Sequence, residues 1–468
     1  MDDREQNTLK VVVAGAGIAG LATAWLIQQT ALEVGRKIEL SIFEADSRHG
    51  GATRSDLIDG YLCEWGPNGF LDNEPATLKL IESLGLTSQL VRASDASARR
   101  YIYHSGRMHE VPLSPPAFLL SGIVSVMAKL RMGMEYFVSS KQSDEDESVG
   151  SFGRRRLGEG FTRLLLDPMV SGIFAGDIDM LSLQAVFPKM VEMEREYGGL
   201  FKAMIAKQKA AKKSGFKSGG PGGPGATLHT FKQGMGQLTD ELAARLKGSI
   251  QTGTPVTGIA RLGDKFKVTT PRAIFDADII VLAIPSYAAA KVVRGLDPDL
   301  SQTLSEIPYA PVDVVCSGYH PDRLSRPLEG FGVLIPRNEH IRSLGSLWSD
   351  QIFPGQAPMG RRLFRTILGG AHDKEIVSLS ESDLISVTTH DQLKVMGIEG
   401  DAVFRKVYRH TFGIAQYNLG HLKRIAKIDK VEQELLGLFF TGAAYRGVSV
   451  NGTAKDAYRV AERAFKGK

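Results

Sequence analysis

The sequence predicts an α/β protein built around a Rossmann-like nucleotide-binding unit, and three observations predict it. Residues 11–14 are an apolar run leading into Gly15-Ala16-Gly17-Ile18-Ala19-Gly20, which fits G-x-G-x-x-G. A helical pattern follows (Leu21, Ala24, Trp25, Gln28), and a second apolar run over residues 38–43 ends at Glu44. Strand, glycine turn, helix and strand in that order make a βαβ unit. Glycine is also in excess: there are 51 in 468 residues, where the usual ~7 % would give roughly 33. Excess glycine at fixed places marks backbone that turns sharply or comes close to a ligand.

Each element follows in order. Residues 1–10, MDDREQNTLK, are polar and acidic, unlike a signal or transit peptide. A short amphipathic helix is expected over residues 78–86. Residues 111–128 carry no charge, but Pro112, Pro115 and Pro116 occupy the start and Lys129 and Arg131 close the run. That leaves about 12 helical residues, too few to span a bilayer. They read as a core helix or as one lying on a membrane surface or ligand channel. The acidic run 143–148 and the arginines 154–156 read as solvated surface. Residues 202–227 hold six lysines and then a Gly/Pro run, and read as a mobile loop. Beyond it, Leu238, Leu242 and Leu246 share one helical face. Strands are expected over 249–259 and 265–270, then a buried one closed by Pro285. The last third alternates strand and helix and ends in a helix over 453–465.

Composition excludes several classes. With 43 % hydrophobic and 23 % charged residues, the chain is globular, with roughly three domains' worth of length. Cys63 and Cys316 give no disulfide framework, which suits a reducing, cytoplasmic compartment. The ten histidines form no ligand cluster, so no metal is expected. A net charge of +5 does not point to nucleic acid.

The glycine turn carries the first chemistry. Its glycines permit the turn, the approach of backbone N–H groups to a pyrophosphate, and close helix–strand packing. The following helix N-terminus holds the phosphates through its positive dipole end, and Glu44 can accept the ribose hydroxyls. Gly220-Pro221-Gly222-Gly223-Pro224-Gly225 fits the same pattern but follows no strand, and is rejected. Downstream come Arg48-His49-Gly50-Gly51-Ala52-Thr53-Arg54 and Glu64-Trp65-Gly66-Pro67-Asn68. With the βαβ unit, these segments resemble the flavin monoamine oxidase-like superfamily, whose cofactor is FAD.

Further segments narrow the likeness: residues 98–103 (ARRYIY), 167–177 (DPMVSGIFAGD), 330–336 (GFGVLIP) and 416–421 (QYNLGH). They resemble the oxygen-dependent protoporphyrinogen oxidase family, which includes the bacterial coproporphyrinogen III oxidases, over almost the whole chain. The resemblance implies a flavoenzyme of haem synthesis that takes six electrons and six protons from a porphyrinogen. Three rounds of hydride transfer from a bridge carbon to flavin N5 would use O2 and release three H2O2.

The resemblance also implies site residues. FAD would lie against Gly15, Ala16, Gly17, Ile18, Ala19, Gly20, Glu44, Ala45, Gly50, Gly51, Ala52, Gly66, Pro67, Asn68, Gly69, Val256, Val448, Ser449 and Val450. Arg100 would meet a propionate, as a forked guanidinium suits a carboxylate. Leu334, Leu347 and Ile367 would sandwich a pyrrole ring, and Gly172 would turn a carbonyl toward the ring N–H groups. No general base is nominated. The chain departs from its relatives at His410, where many have Trp, at Ala415, where many have Pro, and in residues 442–452. The expected layout is a discontinuous FAD domain (8–95, 226–298, 412–468). A helical, membrane-contacting insertion (96–225) and a mixed α+β substrate domain (299–411) interrupt it. Expected partners are the porphyrinogen, O2, the cytoplasmic membrane surface and a second copy of the chain.

Overall fold

The computed structural model describes residues 8–112, 114–214 and 226–466. The predicted βαβ unit is present as strand Thr8–Ala14, helix Ile18–Glu33 and strand Lys37–Phe43. Thr8–Ala14 is the middle strand of a five-stranded parallel sheet, between Lys37–Phe43 and Ile279–Leu282. Ile250–Gln251 and Leu438–Phe440 form its edges. Both faces are buried, which is why residues 11–14 are apolar without alternation. Val11 and Val13 join one core with Leu238, Leu242 and Leu246, while Val12 and Ala14 join the other. The final helix, Val450–Ala464, packs on Ile18–Glu33, so the two ends of the chain share one core.

A second sheet has seven strands: Phe404–Ala415, Tyr309–Tyr319, Arg362–Gly369, Ser343–Trp348, Gly332–Leu334, Tyr101–His104 and Arg107–Glu110. All its pairings are antiparallel except Gly332–Leu334 with Tyr101–His104. Residues 101–110, expected within the helical insertion, are thus a hairpin of this sheet. Its two-residue turn, Ser105-Gly106, has φ of 53° and 78°, the positive values that a tight hairpin requires.

Three further expectations are corrected. The uncharged run does not make one core helix. It breaks into Pro115–Leu120 and Val126–Gly133, capped by Ser114 and Ser125, whose hydroxyls accept from the Ala117 and Ala128 N–H groups. Ile123 and Val124 between the helices are buried, but several apolar side chains point outward, with Leu120 89 % and Met127 74 % exposed, as is Phe137 just beyond the second helix at 81 %. Residues 202–214, read as loop, belong to helix Leu200–Ser214, because alanine, lysine and glutamine are good helix formers. The remainder of that stretch, with the second glycine match, lies outside the described residues. The arginines at 154–156 are not simply solvated. Arg156 is fully buried between Glu135 (3.1 Å) and Glu194 (2.6 Å), and Arg155 joins Glu147 at 2.8 Å, so the acidic and basic runs pair.

Candidate functional site

The predicted nucleotide residues converge on the carboxyl ends of the parallel sheet. Gly17 precedes helix Ile18–Glu33, placing Ile18 and Ala19 in its first turn. A Cβ on Gly20 would collide with the Gly15 carbonyl oxygen, so helix and turn pack closer than any side chain allows. The second glycine turn lies against the first: the Gly50 N–H donates to the Ala16 carbonyl at 2.8 Å, and Gly17 pairs with Gly50 in a short bridge. Glu44 ends the second strand. One of its carboxylate oxygens accepts from the Ala16 N–H at 2.6 Å and the other from the Asp46 N–H at 2.9 Å, with Ala45 exposed between them. Each oxygen keeps a lone pair for a ribose hydroxyl.

The third predicted segment joins them. A Cβ on Gly66 would lie 2.5 Å from the Ala52 carbonyl oxygen, so Gly66 and Pro67 start directly beside residue 52, while a Cβ on Gly69 would meet the His229 carbonyl oxygen at 2.6 Å. Both amide atoms of Asn68 are buried without a partner. Buried polar atoms are almost always satisfied, and a polar cofactor lying here would satisfy these. Val256 follows Thr254, whose N–H donates to the Glu44 carbonyl at 2.8 Å. Val448 leads to Ser449, which caps the last helix at Val450, and Asn451 binds the Leu71 carbonyl at 2.8 Å. The residues present therefore fit an extended dinucleotide.

The substrate candidates lie on the second sheet. Gly332 pairs with Leu347 and Leu334 with Gly345. Leu347 in turn pairs with Arg365, and Gly345 with Ile367. Leu334, Leu347, Arg365 and Ile367 therefore share one face. The three apolar side chains are only partly buried, whereas Val333, Ser346, Trp348, Thr366 and Leu368 around them are buried. Gly172, exposed on helix Asp167–Phe174, crosses this face: a Cβ there would sit 2.8 Å from Leu334 Cδ2.

Arg100 stands at the end of this face, just before strand Tyr101–His104. Its guanidinium lies 5.3 Å from the Phe331 ring centroid, and it has no carboxylate partner among the described residues. The side chain is exposed, yet partial desolvation pulls its pKa below the ordinary guanidinium value, with no anion opposing it. The neighbouring arginines are already paired: Arg99 with Glu329 at 3.3 Å, Arg337 with Asp167 at 2.7 Å and Arg342 with Asp373 at 2.6 Å.

Of the residues that join the two halves, sequence reading missed Arg365 and named His410 only as a departure from its relatives. Arg365 is buried and donates to the carbonyls of Glu64 at 3.3 Å and Gly66 at 2.6 Å. His410 Nε2–H donates to the Trp65 carbonyl at 3.0 Å, and burial lowers its pKa, favouring the neutral ring. An arginine two places before Ile367 in an apolar strand was the available signal for the first. The carboxyl of Glu64 is buried and pushed up to about 7 by desolvation, opposed by hydrogen bonds from Ser55 and the Met235 N–H. Among the described residues no His, Cys, Asp or Glu group could hold a metal ion.

Residues 18–464 match the family described as flavin containing amine oxidoreductase. The coproporphyrinogen III oxidase of Bacillus subtilis is 31 % identical over 459 residues, covering 94 % of each chain. Protoporphyrinogen oxidase 2 of Arabidopsis thaliana is 30 % identical, covering 97 % of this chain and 93 % of its own. Among solved structures, a protein from Exiguobacterium sp. 255-15, provisionally named a protoporphyrinogen oxidase, superposes with a TM-score of 0.82. It shares 24 % identity and covers 97 % of this chain and 98 % of its own.

Proposed function

The chain belongs to the flavin containing amine oxidoreductase family, and on that premise we propose that it oxidises protoporphyrinogen IX to protoporphyrin IX in haem biosynthesis. Three O2 would each accept two electrons and two protons, giving three H2O2. FAD, when bound, supplies the acceptor for the hydride equivalent that leaves each bridge carbon. The chain's own residues hold and orient: the partly open Leu334, Leu347 and Ile367 suit a broad apolar macrocycle, and Arg100 suits a carboxylate at its edge. We assign the glycine turns, Glu44, residues 66–69, Val256 and 448–450 to the FAD.

One observation carries the choice of porphyrinogen. Apart from Arg365, which is buried and bonded to the Glu64 and Gly66 carbonyls, Arg100 alone of the arginines around the face lacks an acidic partner among the described residues, while Arg99, Arg337 and Arg342 are paired. A single uncompensated cation fits a substrate with propionates on one edge better than one with four. The test is turnover of both porphyrinogens followed by porphyrin fluorescence. Protoporphyrinogen IX should have the higher kcat/KM, and Arg100→Ala should raise its KM by about 1.5–3 kcal/mol equivalent. A preference for coproporphyrinogen III, or an unchanged KM, would refute the corresponding assignment.

We also propose that the insertion rests on a membrane surface. No helix among the described residues is long and apolar enough to cross a bilayer. The exposed Leu119, Leu120, Val126, Met127, Leu130 and Phe137 support contact with one face instead.

A further inference from the structure

The segment 416–421, QYNLGH, has no role in the site described so far, yet it touches both halves of it. Tyr417 is buried, and its ring stacks on His421 with centroids 3.9 Å apart and planes 10° from parallel. The Tyr417 hydroxyl donates to the Ala443 carbonyl at 2.8 Å and accepts from the Gly447 N–H at 2.7 Å. His421 Nε2–H donates to the Tyr445 carbonyl at 3.0 Å. Two stacked rings thus hold the start, middle and end of one five-residue loop, 443–447. Within that loop and its Gly442 flank, the backbone makes one hydrogen bond of its own, from the Tyr445 N–H to the Gly442 carbonyl at 3.2 Å.

The loop's position gives the brace its meaning. Gly442 approaches Ala19, in the first turn after the glycine turn. Residues 448–450 then lead into the last helix, which packs on the helix Ile18–Glu33 that follows the glycine turn. On its other side the segment grips the substrate wall. Gln416 Nε2 donates to the Phe174 carbonyl at 2.9 Å, the last residue of helix Asp167–Phe174. The Ser182 N–H donates to the Tyr417 carbonyl, and the Leu419 N–H to the Met180 carbonyl, both at 2.8 Å.

We infer that Tyr417 is a positioning residue for the cofactor: its hydroxyl fixes loop 443–447, and so the backbone of 447–449 on the FAD, relative to the wall that carries Gly172. The inference rests on residues 448–450 lining the FAD site. Without the hydroxyl, the Gly447 N–H and Ala443 carbonyl lose the partner that links the two ends of the loop, and Arg446, bonded to the Phe440 carbonyl at 3.1 Å, is left as its side-chain anchor together with the His421 bond.

The test titrates FAD into deflavinated protein and follows quenching of flavin fluorescence, which needs no turnover. Tyr417→Phe should raise the FAD Kd about tenfold or more. Tyr319→Phe is the control, since it removes a buried hydroxyl bond at 2.7 Å that ties the second sheet to Gln392 on helix Glu381–Met396. It should leave the Kd within about twofold of wild type while losing comparable thermal stability. An unchanged Kd in Tyr417→Phe, or an equal rise in Tyr319→Phe, would overturn the inference. A wild-type protein that takes up no FAD would overturn the cofactor assignment itself. If Tyr417→Phe does not fold, His421→Phe keeps a stacked ring and removes the donor to Tyr445. A severalfold weaker FAD affinity is then expected, and an unchanged one overturns the brace.

Discussion

At the scale of single residues, burial decides what a charge can do. Glu64 is instructive because it is buried and forms no simple ion pair. Glu64 sits at the junction of the cofactor segments, its oxygens held by the Ser55 hydroxyl and the Met235 N–H. Desolvation raises its pKa from 4.5 to about 7, so between these values the folded chain binds the proton more tightly than the unfolded chain. Stability from this group is therefore complete below the unfolded pKa and falls as pH rises through about 7. The fall amounts to about 3 kcal/mol, at 1.36 kcal/mol per unit. Glu64→Gln mimics the protonated form and removes the titration. Urea unfolding of both proteins should show wild-type stability, relative to the variant, dropping between about pH 4.5 and 7 and levelling off above; a pH-independent difference would contradict the assignment. Nothing in the run YLCEWGPN betrays this, because the burial comes from residues 234–236, far along the chain.

At the scale of elements, what the sequence made legible depended on whether local signals and burial agreed. The first βαβ unit was legible because periodicity, glycine turn and acidic strand end all pointed one way. The uncharged run 111–128 was not, because apolar composition fits a core helix and a surface helix equally well. Its structure was written in smaller signals: Ser114 and Ser125 cap two separate helices, with Gly122 between them. The strand Phe404–Ala415 was obscured for the opposite reason, since Arg405, Lys406 and Arg409 dilute its alternation. The open helices carry a prediction. Changing Leu120, Met127 and Phe137 together to glutamine should cut binding to anionic liposomes in a flotation assay by at least about tenfold. Even partial burial is worth ~1 kcal/mol for each of these side chains. The melting temperature should hold, because side chains this exposed contribute little to the core. Salt should weaken what binding remains, since Lys207 and Lys209 on the neighbouring helix Leu200–Ser214 are also exposed. Wild-type protein that stays with the soluble fraction would end the membrane reading.

At the scale of the whole molecule, the cofactor site we propose is assembled from residues 15–20, 44–52, 66–69, 256 and 448–450, so it exists only when distant parts of the chain are folded together. The parallel sheet has the same property, taking strands from residues 8–14, 37–43, 250–251, 279–282 and 438–440. Arg365 and His410 then fasten the second sheet to the cofactor segments through the carbonyls of Glu64, Gly66 and Trp65. Such a site has no counterpart in the unfolded chain, and FAD at 100 times its Kd should add about 2.7 kcal/mol of stability. How far the melting temperature moves depends on how much of the chain melts as one unit. With roughly 2.1 cal/mol/K of unfolding entropy per residue, all 468 residues melting together would give a rise of about 3 °C. If the half holding the cofactor melted alone, the same free energy would raise its transition by about 5–6 °C. Calorimetry of deflavinated protein with graded FAD separates these outcomes. The carbonyl bonds of Arg365 and the shared core of the first and last helices argue for the single transition and the smaller shift. A melting temperature indifferent to FAD would mean that these segments do not form the cofactor site.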